Sequence, residues 1–399
     1  MKTFRPYLGL PTLPYQKVWA EIDQEALINN FHRLSQKNAN ARQIAVVKAD
    51  AYGHTAAICV DALLSAGCDF FAVSSISEAI DVRRICRERQ LSADILILGY
   101  TDSHLVPYLI ENDVIQTIVD ESHGLSLAKE AEAFGQKIRA HVALDTGMNR
   151  VGICARNDSE CSSAVNAVKE LFFNPHLRVE GIFTHFSNAD DSDDSVFDPI
   201  GKTKLQFSRF ASVRSSLEKE GIKLFSHVCN SAATVRFPEF ALDGVRLGIL
   251  LYGARPSEQL VAETTPVMSL HTVISHVHSI KKGDRVSYGG CFVSDGDREI
   301  ATLPIGYADG FIRSYSGFNV TVHTKDGDRR APVIGRICMD QCMIDVTGLG
   351  AEAGDKITVF GIDKSDISRL AAMADTIEYE VLCLISGRVP RFPKNDSGR

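Results

Sequence analysis

The first 254 residues repeat one pattern eight times: a short apolar stretch and then an amphipathic stretch with helical spacing. The apolar stretches are hydrophobic on both faces, as strands are in a parallel sheet covered by helices. Eight such units in series predict an α/β fold, a TIM-type (β/α)8 barrel, with an open doubly wound sheet as the alternative. The predicted strands are Ile44–Val47, Phe70–Val73, Ile95–Leu98, Gln116–Val119, Arg139–Leu144, Val179–Thr184, Leu224–Val228 and Leu242–Arg246.

The pattern changes at Arg255. Beyond it, short β-type runs such as Met268–His278, Glu299–Pro304 and Lys356–Phe360 alternate with Gly/Asp turns, and a short helix is predicted at Ile367–Met373. We therefore predict a barrel domain over residues 1–254 and a mostly β domain over residues 255–399. The first ~20 residues are a candidate segment for packing on the β domain.

Charge and cysteine usage exclude several classes of protein. The net charge is -7, and the lysines and arginines form no run long enough for a nucleic-acid or membrane face. Residues 1–14 lack the apolar stretch of a secretory signal. The ten cysteines are scattered without a CxxC pair, which favours reduced thiols in the cytoplasm, and no metal site is predicted.

The barrel prediction places the candidate site at the carboxyl ends of the strands. Lys48 follows the first strand, where poor solvation favours the neutral amine that Schiff-base chemistry requires. Loops after strands seven and eight commonly bind phosphate in such barrels. This combination suggests a phosphate-bearing aldehyde cofactor, although His185 could be a core histidine and Arg246 could belong to a barrel ion pair. Besides Lys48, the polar or flexible positions that form this combination near the strand ends are Arg150, His185, Ser231, Arg246 and Gly248.

The motifs around these positions resemble those of the alanine racemases, a family of fold-type III pyridoxal-phosphate enzymes. They occur in the family's order and cover nearly the whole chain. The matching motifs are VVKADAYGH (46–54), LDTGMNRVG (144–152), GIFTHF (181–186), NSAA (230–233), VRLGI (245–249), VSYG (286–289), LPIGYADG (303–310), GRICMDQ (335–341) and YEV (379–381).

The resemblance implies a pyridoxal 5'-phosphate enzyme that interconverts L-alanine and D-alanine. It also implies a head-to-tail homodimer, in which the β domain completes the active site of the partner subunit's barrel. A serine or broad-specificity racemase stays open, because a small pocket rejects a hydroxymethyl group only about tenfold to a hundredfold. Tyr288 and Met339 argue against a non-catalytic pyridoxal-phosphate barrel, and Arg246 argues against a decarboxylase. Supply of cell-wall precursors and catabolism both remain open as roles.

The resemblance also assigns roles to residues. Lys48 carries the cofactor and serves the D-side proton, while the partner's Tyr288 serves the L-side proton. Arg246 faces the pyridine nitrogen, and with His185 it supplies a cationic neighbourhood for the tyrosine. The implied cofactor-binding set is Lys48, Tyr52, Arg150, His185, Asn230, Ser231, Arg246, Gly248, Ile249 and Tyr379. The implied substrate-binding residues are Arg150 and the partner's Met339, and the implied entrance corridor contains Tyr307, Arg313 and Arg336.

One position departs from the family pattern. Many members carry a lysine seven positions before the arginine of the LDTGMNR motif, and its carbamylated side chain holds that arginine. Here the position is Ala143, which can be neither carbamylated nor charged. Because a partly desolvated cation needs a counter-charge, we expect an anion such as chloride, a nearby carboxylate or ordered water beside Arg150.

Overall fold

The computed structural model describes residues 17–191, 198–257, 259–260 and 262–394. Residues 1–16, which belong to the expectation for the N-terminal segment, lie outside this range. The chain separates into two compact units. One contains residues 27–52 and 59–264, and the other contains the described parts of residues 1–26, 53–58 and 265–399.

The first unit is a closed barrel of eight parallel strands. Each strand pairs with the next, and the eighth strand returns to the first, with Leu247 opposite Ala45. The strands lie at Arg42–Val46, Phe70–Val73, Asp94–Ile97, Ile115–Ile118, Ile138–Asp145, Leu177–Phe183, Phe225–His227 and Gly244–Leu247. Closure confirms the predicted (β/α)8 architecture and excludes the open sheet.

Helices alternate with these strands along the chain, as the periodicity predicts. The helix at Ile76–Glu88 shows how local chemistry sets a boundary, because the Ser75 side chain accepts from the Glu78 N–H and caps its first turn. The other helices lie at Gln24–Lys37, Ala56–Ser65, Val106–Glu111, Glu121–Ala133, Asp158–Phe173, Pro199–Lys219 and Ser231–Arg236. A two-residue strand at Ile153–Cys154 pairs with the fifth barrel strand.

The second unit is built on a mixed nine-stranded sheet. In spatial order its strands are His276–Ile280, Arg298–Leu303, Cys342–Asp345, Gly327–Ile334, Asn319–Thr324, Lys356–Phe360, Met268–Val273, Val18–Ile22 and Arg391–Pro393. A separate ribbon joins Arg285–Val286 to Phe292–Val293, and helices lie at Asp366–Met373 and Glu378–Leu384.

The run Met268–His278, predicted as one β stretch, is two strands. The first, Met268–Val273, pairs with Lys356–Phe360, whereas His276–Ile280 pairs with Arg298–Leu303. Ser275 N–H donates to the Thr302 carbonyl at 2.9 Å, which marks the change of partner. Apolar periodicity does not reveal such a change, because both strands carry similar side chains.

Within the described residues, no helix is both long enough and apolar enough to span a membrane.

Candidate active site

Lys48 lies where the first barrel strand ends, at the start of a left-handed turn. The strand stops at Val46, and residues 49–52 have φ angles of 53°, 51°, 57° and 54°. Residues with a Cβ avoid this region at a cost of roughly 1–2 kcal/mol each. A run of four such residues persists only if its surroundings hold it.

Hydrogen bonds on two sides of the turn hold it in place. Ala51 N–H donates to the Val47 carbonyl at 2.9 Å. Ala49 N–H donates to Glu78 Oε1 at 2.8 Å, and the other oxygen of Glu78 accepts from Ser74 N–H at 2.7 Å. The cofactor lysine of the sequence prediction is therefore flanked by a turn that a neighbouring carboxylate stabilises.

Arg246 is a buried cation on the eighth barrel strand. Its Nη1 donates to the His227 carbonyl at 2.7 Å and lies 2.7 Å from His227 Nδ1, while Nη2 donates to the carbonyls of Thr184 (2.8 Å) and Val228 (3.1 Å). Burial, with a smaller contribution from the charge of Arg150, lowers the pKa of Arg246 to about 10. Arg246 thus stays charged at neutral pH, and among the described residues it forms no ion pair.

Two buried histidines continue this chain of hydrogen bonds. A guanidinium only donates, so His227 Nδ1 accepts and its hydrogen lies on Nε2, 3.0 Å from His141 Nδ1. Burial lowers the pKa of His141 to about 3 and holds that of His227 well below 6.5, so both rings are neutral. Gly181 makes room for this arrangement, because a Cβ there would lie 2.6 Å from the His141 ring.

His185 follows the sixth strand, and its Nδ1 lies 3.4 Å from Arg246 Nη2. Burial lowers the pKa of His185 well below its usual value, and the charges of Arg246, Arg150 and Lys48 lower it further. His185 is therefore neutral. The positive charge that the sequence analysis expects from His185 and Arg246 together belongs to Arg246. Three basic residues, Arg246, Arg150 and Lys48, thus lie near enough to act on the half-buried ring of His185.

Tyr52, Ser231 and Gly248 meet in a small cradle. Gly248 N–H donates to Ser231 Oγ at 2.8 Å. A Cβ at Gly248 would lie 2.6 Å from Tyr52 Oη and 3.6 Å from Ser231 Oγ, so only glycine lets these groups approach. Because Ser231 Oγ accepts from Gly248, its own hydrogen can serve as a donor. Asn230 and Ile249 adjoin the cradle in the chain.

Arg150 belongs to a loop shaped by Asp145. Asp145 Oδ1 accepts from the N–H groups of Gly147 and Asn149, both at 3.0 Å, and Asn149 has a φ of 57°. This local turn fixes where Arg150 leaves the fifth strand. Ala143, on the same strand, is buried at 2% exposure.

In the second unit, Tyr288 and Met339 are exposed at 71% and 54%. Both line one shallow depression, and large exposed side chains grouped in this way are typical of a contact surface. The Met339 carbonyl accepts from Ala308 N–H at 3.0 Å, which fixes its loop. Tyr379 is half-buried in the helix Glu378–Leu384. The other residues of the depression are Ser287, Gly289, Cys338, Asp340 and Gln341.

Two family models match this chain and together cover most of its length. The alanine racemase N-terminal domain matches residues 22–256, and the alanine racemase C-terminal domain matches residues 267–393. This chain belongs to the alanine racemase family. The family resemblance predicted from the motifs is thereby confirmed, and the presence of both domains sets an alanine racemase apart from a protein consisting of the barrel alone.

Individual alanine racemases are similar over almost their full length. That of Methanococcus maripaludis is 39% identical over 384 residues, covering 94% of this chain and 98% of its own. The solved structure of alanine racemase from Clostridium difficile 630 is 33% identical with a TM-score of 0.86, covering 97% of this chain and 98% of that one. The structure from Bacillus anthracis with bound L-Ala-P is 32% identical with a TM-score of 0.84, covering 96% of each chain.

Sequence reasoning missed three residues around the candidate site: Glu78, His141 and His227. Glu78 stands three positions after Ser75, a capping-box spacing visible in the sequence, but its bond to Ala49 depends on the neighbouring strand. The two histidines lie within strands, where the sequence alone predicts no more than an ordinary core residue. Only the barrel's closure brings them into line with Arg246.

Proposed function

We propose that this chain interconverts L-alanine and D-alanine with pyridoxal 5'-phosphate, in a homodimer with shared sites. Family membership supports the reaction class and names alanine as the substrate. The observation that carries the cofactor assignment is the group of basic side chains beside the glycine cradle at the barrel's carboxyl end. Lys48, Arg150 and Arg246 all act on His185 there, beside the cradle at Gly248.

The residues of the barrel unit fit the cofactor in charge and shape. Tyr52, Ser231, Gly248 and Ile249 would hold the phosphate, and Asn230 belongs to the proposed cofactor-binding set. Tyr379, which lies in the second unit, is the remaining member of the proposed phosphate-binding set. Arg246 can only donate, which suits a pyridine nitrogen that keeps its lone pair. Pyridoxal phosphate, when bound, supplies an electron-withdrawing ring that stabilises negative charge on the substrate's α-carbon.

Racemisation requires one group to remove the α-proton and another to return a proton on the opposite face. Lys48 holds the D-side proton at Nζ, and Tyr288 of the partner subunit holds the L-side proton at Oη. Arg150 would bind the substrate carboxylate by charge and would also hold the cofactor at its phenolic oxygen, and Met339 of the partner subunit would bind the carboxylate through its backbone N–H.

Tyrosine is a poor base at its ordinary pKa near 10 and needs stabilisation as phenolate. Because Arg246 donates to Nδ1 of His185, the hydrogen of His185 lies on Nε2 and can donate onward. His185 thus transmits the positive charge of Arg246 towards the phenolate of Tyr288 of the partner subunit.

All ten cysteines are free thiols, which supports a reducing compartment such as the cytoplasm.

A racemisation assay on L-alanine, L-serine and L-lysine, with and without added pyridoxal phosphate, tests the proposal. We expect alanine to be the preferred substrate, and borohydride reduction followed by peptide mapping to place the cofactor on Lys48. Lys48→Ala should lose both the visible absorbance of the bound cofactor and racemisation. Faster turnover of serine than of alanine would make serine the main substrate. A label on another lysine would refute the cofactor assignment.

A further inference from the structure

We propose that Glu78 is a positioning residue for the cofactor lysine: its carboxylate holds the left-handed turn that begins at Lys48. The inference rests on the proposed function, because it takes Lys48 as the site of cofactor attachment. It adds a residue that lies outside the motifs through which the family was identified.

The backbone ladder shows what Glu78 replaces. Val47 N–H donates to the Ala72 carbonyl at 2.9 Å, in the parallel ladder between the first two barrel strands. In such a ladder every second residue donates, so Ala49 is the next donor of the series. The chain has by then turned left-handed, and Ala49 N–H donates to Glu78 Oε1 instead. The carboxylate takes the place of a strand partner at the residue after Lys48.

The side chain of Glu78 reaches out of the helix that carries it. Glu78 is the third residue of Ile76–Glu88, and its N–H donates to Ser75 Oγ. A capping-box glutamate ordinarily uses its side chain only to satisfy N–H groups at its own helix end. Here Oε2 serves Ser74 while Oε1 spans to Ala49 on the neighbouring strand end. One side chain therefore joins the ends of two strands beside Lys48.

Glutamine at this position has nearly the same shape as glutamate but cannot accept from both Ala49 and Ser74. Both oxygens of Glu78 accept from backbone N–H groups, whereas a glutamine has one acceptor oxygen and an NH2 group that can only donate. Glu78→Gln therefore leaves Ala49 or Ser74 facing a donor. Ser75→Ala is the matched control, because it weakens the cap of the same helix but removes no hydrogen bond of the turn.

The test compares wild-type, Glu78→Gln and Ser75→Ala holoenzymes by three measurements. These are the dissociation constant of pyridoxal phosphate, hydrogen exchange of residues 47–52, and the urea midpoint. We expect Glu78→Gln to bind the cofactor about tenfold to a hundredfold more weakly, the factor that loss of a charge-assisted hydrogen bond brings. Its turn should exchange faster, whereas Ser75→Ala should lower the urea midpoint and leave cofactor binding and exchange in the turn unchanged.

A rescue variant tests the role of the turn itself. Glycine adopts positive φ without a Cβ clash, so adding Ala49→Gly to Glu78→Gln should recover part of the lost cofactor affinity. Absence of recovery would contradict the proposal. If Glu78→Gln does not fold, Glu78→Asp serves in its place, since its shorter side chain cannot reach both N–H groups.

Two outcomes separate this inference from the proposed function. If Glu78→Gln and Ser75→Ala bind the cofactor equally well, Glu78 is only a helix cap and the inference is wrong. If the wild-type protein carries no borohydride-trapped cofactor on Lys48, the proposed function itself fails.

Discussion

Individual buried residues owe their charge states to their surroundings. Arg246 keeps its proton although burial lowers its pKa to about 10, while the burial of His185 and His227 keeps both rings neutral. The direction of each hydrogen bond follows, because the arginine can only donate. The single positive charge among Arg246, His185 and His227 therefore lies on Arg246.

Replacement of Tyr288 tests the two-base mechanism at a residue exposed in the isolated chain. Tyr288→Phe should still bind the cofactor, because Lys48 and the phosphate cradle are unchanged. Racemisation should fall about a hundred- to ten-thousandfold in both directions, since every turnover uses both proton-transfer groups. The measurement is kcat for L- and D-alanine, and turnover near the wild-type rate would mean that another group moves this proton.

Ala143 leads to a prediction about Arg150. Ala143 is buried on the strand that leads to the Arg150 loop, and it cannot supply the charge that the family resemblance assigns to a carbamylated lysine at this position. We expect a bound anion such as chloride. Turnover should drop when chloride is exhaustively replaced by a large, weakly coordinating anion, and Ala143→Glu should be less sensitive to that replacement. Equal turnover of the wild-type enzyme with and without chloride would refute the chloride version.

At the scale of elements, barrel strands and the loops that follow them carry three neutral histidines: His141 and His227, which are buried, and His185, which is half-buried. Their folded-state pKa values lie below the unfolded value near 6.5, so below that pH the unfolded chain binds more protons. The free energy of unfolding should therefore fall as the pH drops from 7.5 to 5.5. Well below pH 6.5 each histidine contributes a slope of about 1.4 kcal/mol per pH unit.

Urea unfolding at fixed protein concentration across this range measures the slope. His141→Asn is the matched variant, because asparagine retains an acceptor but does not titrate, and its slope should correspond to one proton fewer. Carboxyl groups with a lowered pKa, such as Asp94, titrate below this window and do not mask the effect. An unchanged slope in the variant would show that His141 is protonated in the folded protein.

For the whole molecule, the proposed shared sites predict complementation between two inactive variants. In a hybrid dimer of Lys48→Ala and Tyr288→Phe subunits, one site has both groups intact and the other has neither. Free subunit exchange in an equal mixture makes half of the dimers hybrids, so activity should approach about a quarter of the wild-type value. Failure to complement, with exchange shown by differently tagged subunits, would assign both residues to one chain's site.

The fold could be predicted because its pattern is local and repeated. Each of the eight predicted strands overlaps an observed one, since strands buried on both faces stand out from amphipathic helices. The pairing of strands in the second unit was harder to predict from the sequence. The strand Gly327–Ile334 is exposed over its first half and lacks a continuous apolar signature, and Val18–Ile22 joins Met268–Val273 from the far end of the chain.

By itself, the sequence determined the barrel, the β-rich unit, the family and the residue types available for chemistry, because periodicity and motif spacing are properties of the chain. Tertiary structure decided which of those groups interact and in what state. The left-handed turn after Lys48 is stable because Glu78 reaches it from the next strand–helix unit. His141, His227 and Arg246 become one hydrogen-bonded chain because barrel closure buries them together, and burial removes the solvent that would otherwise set their charge.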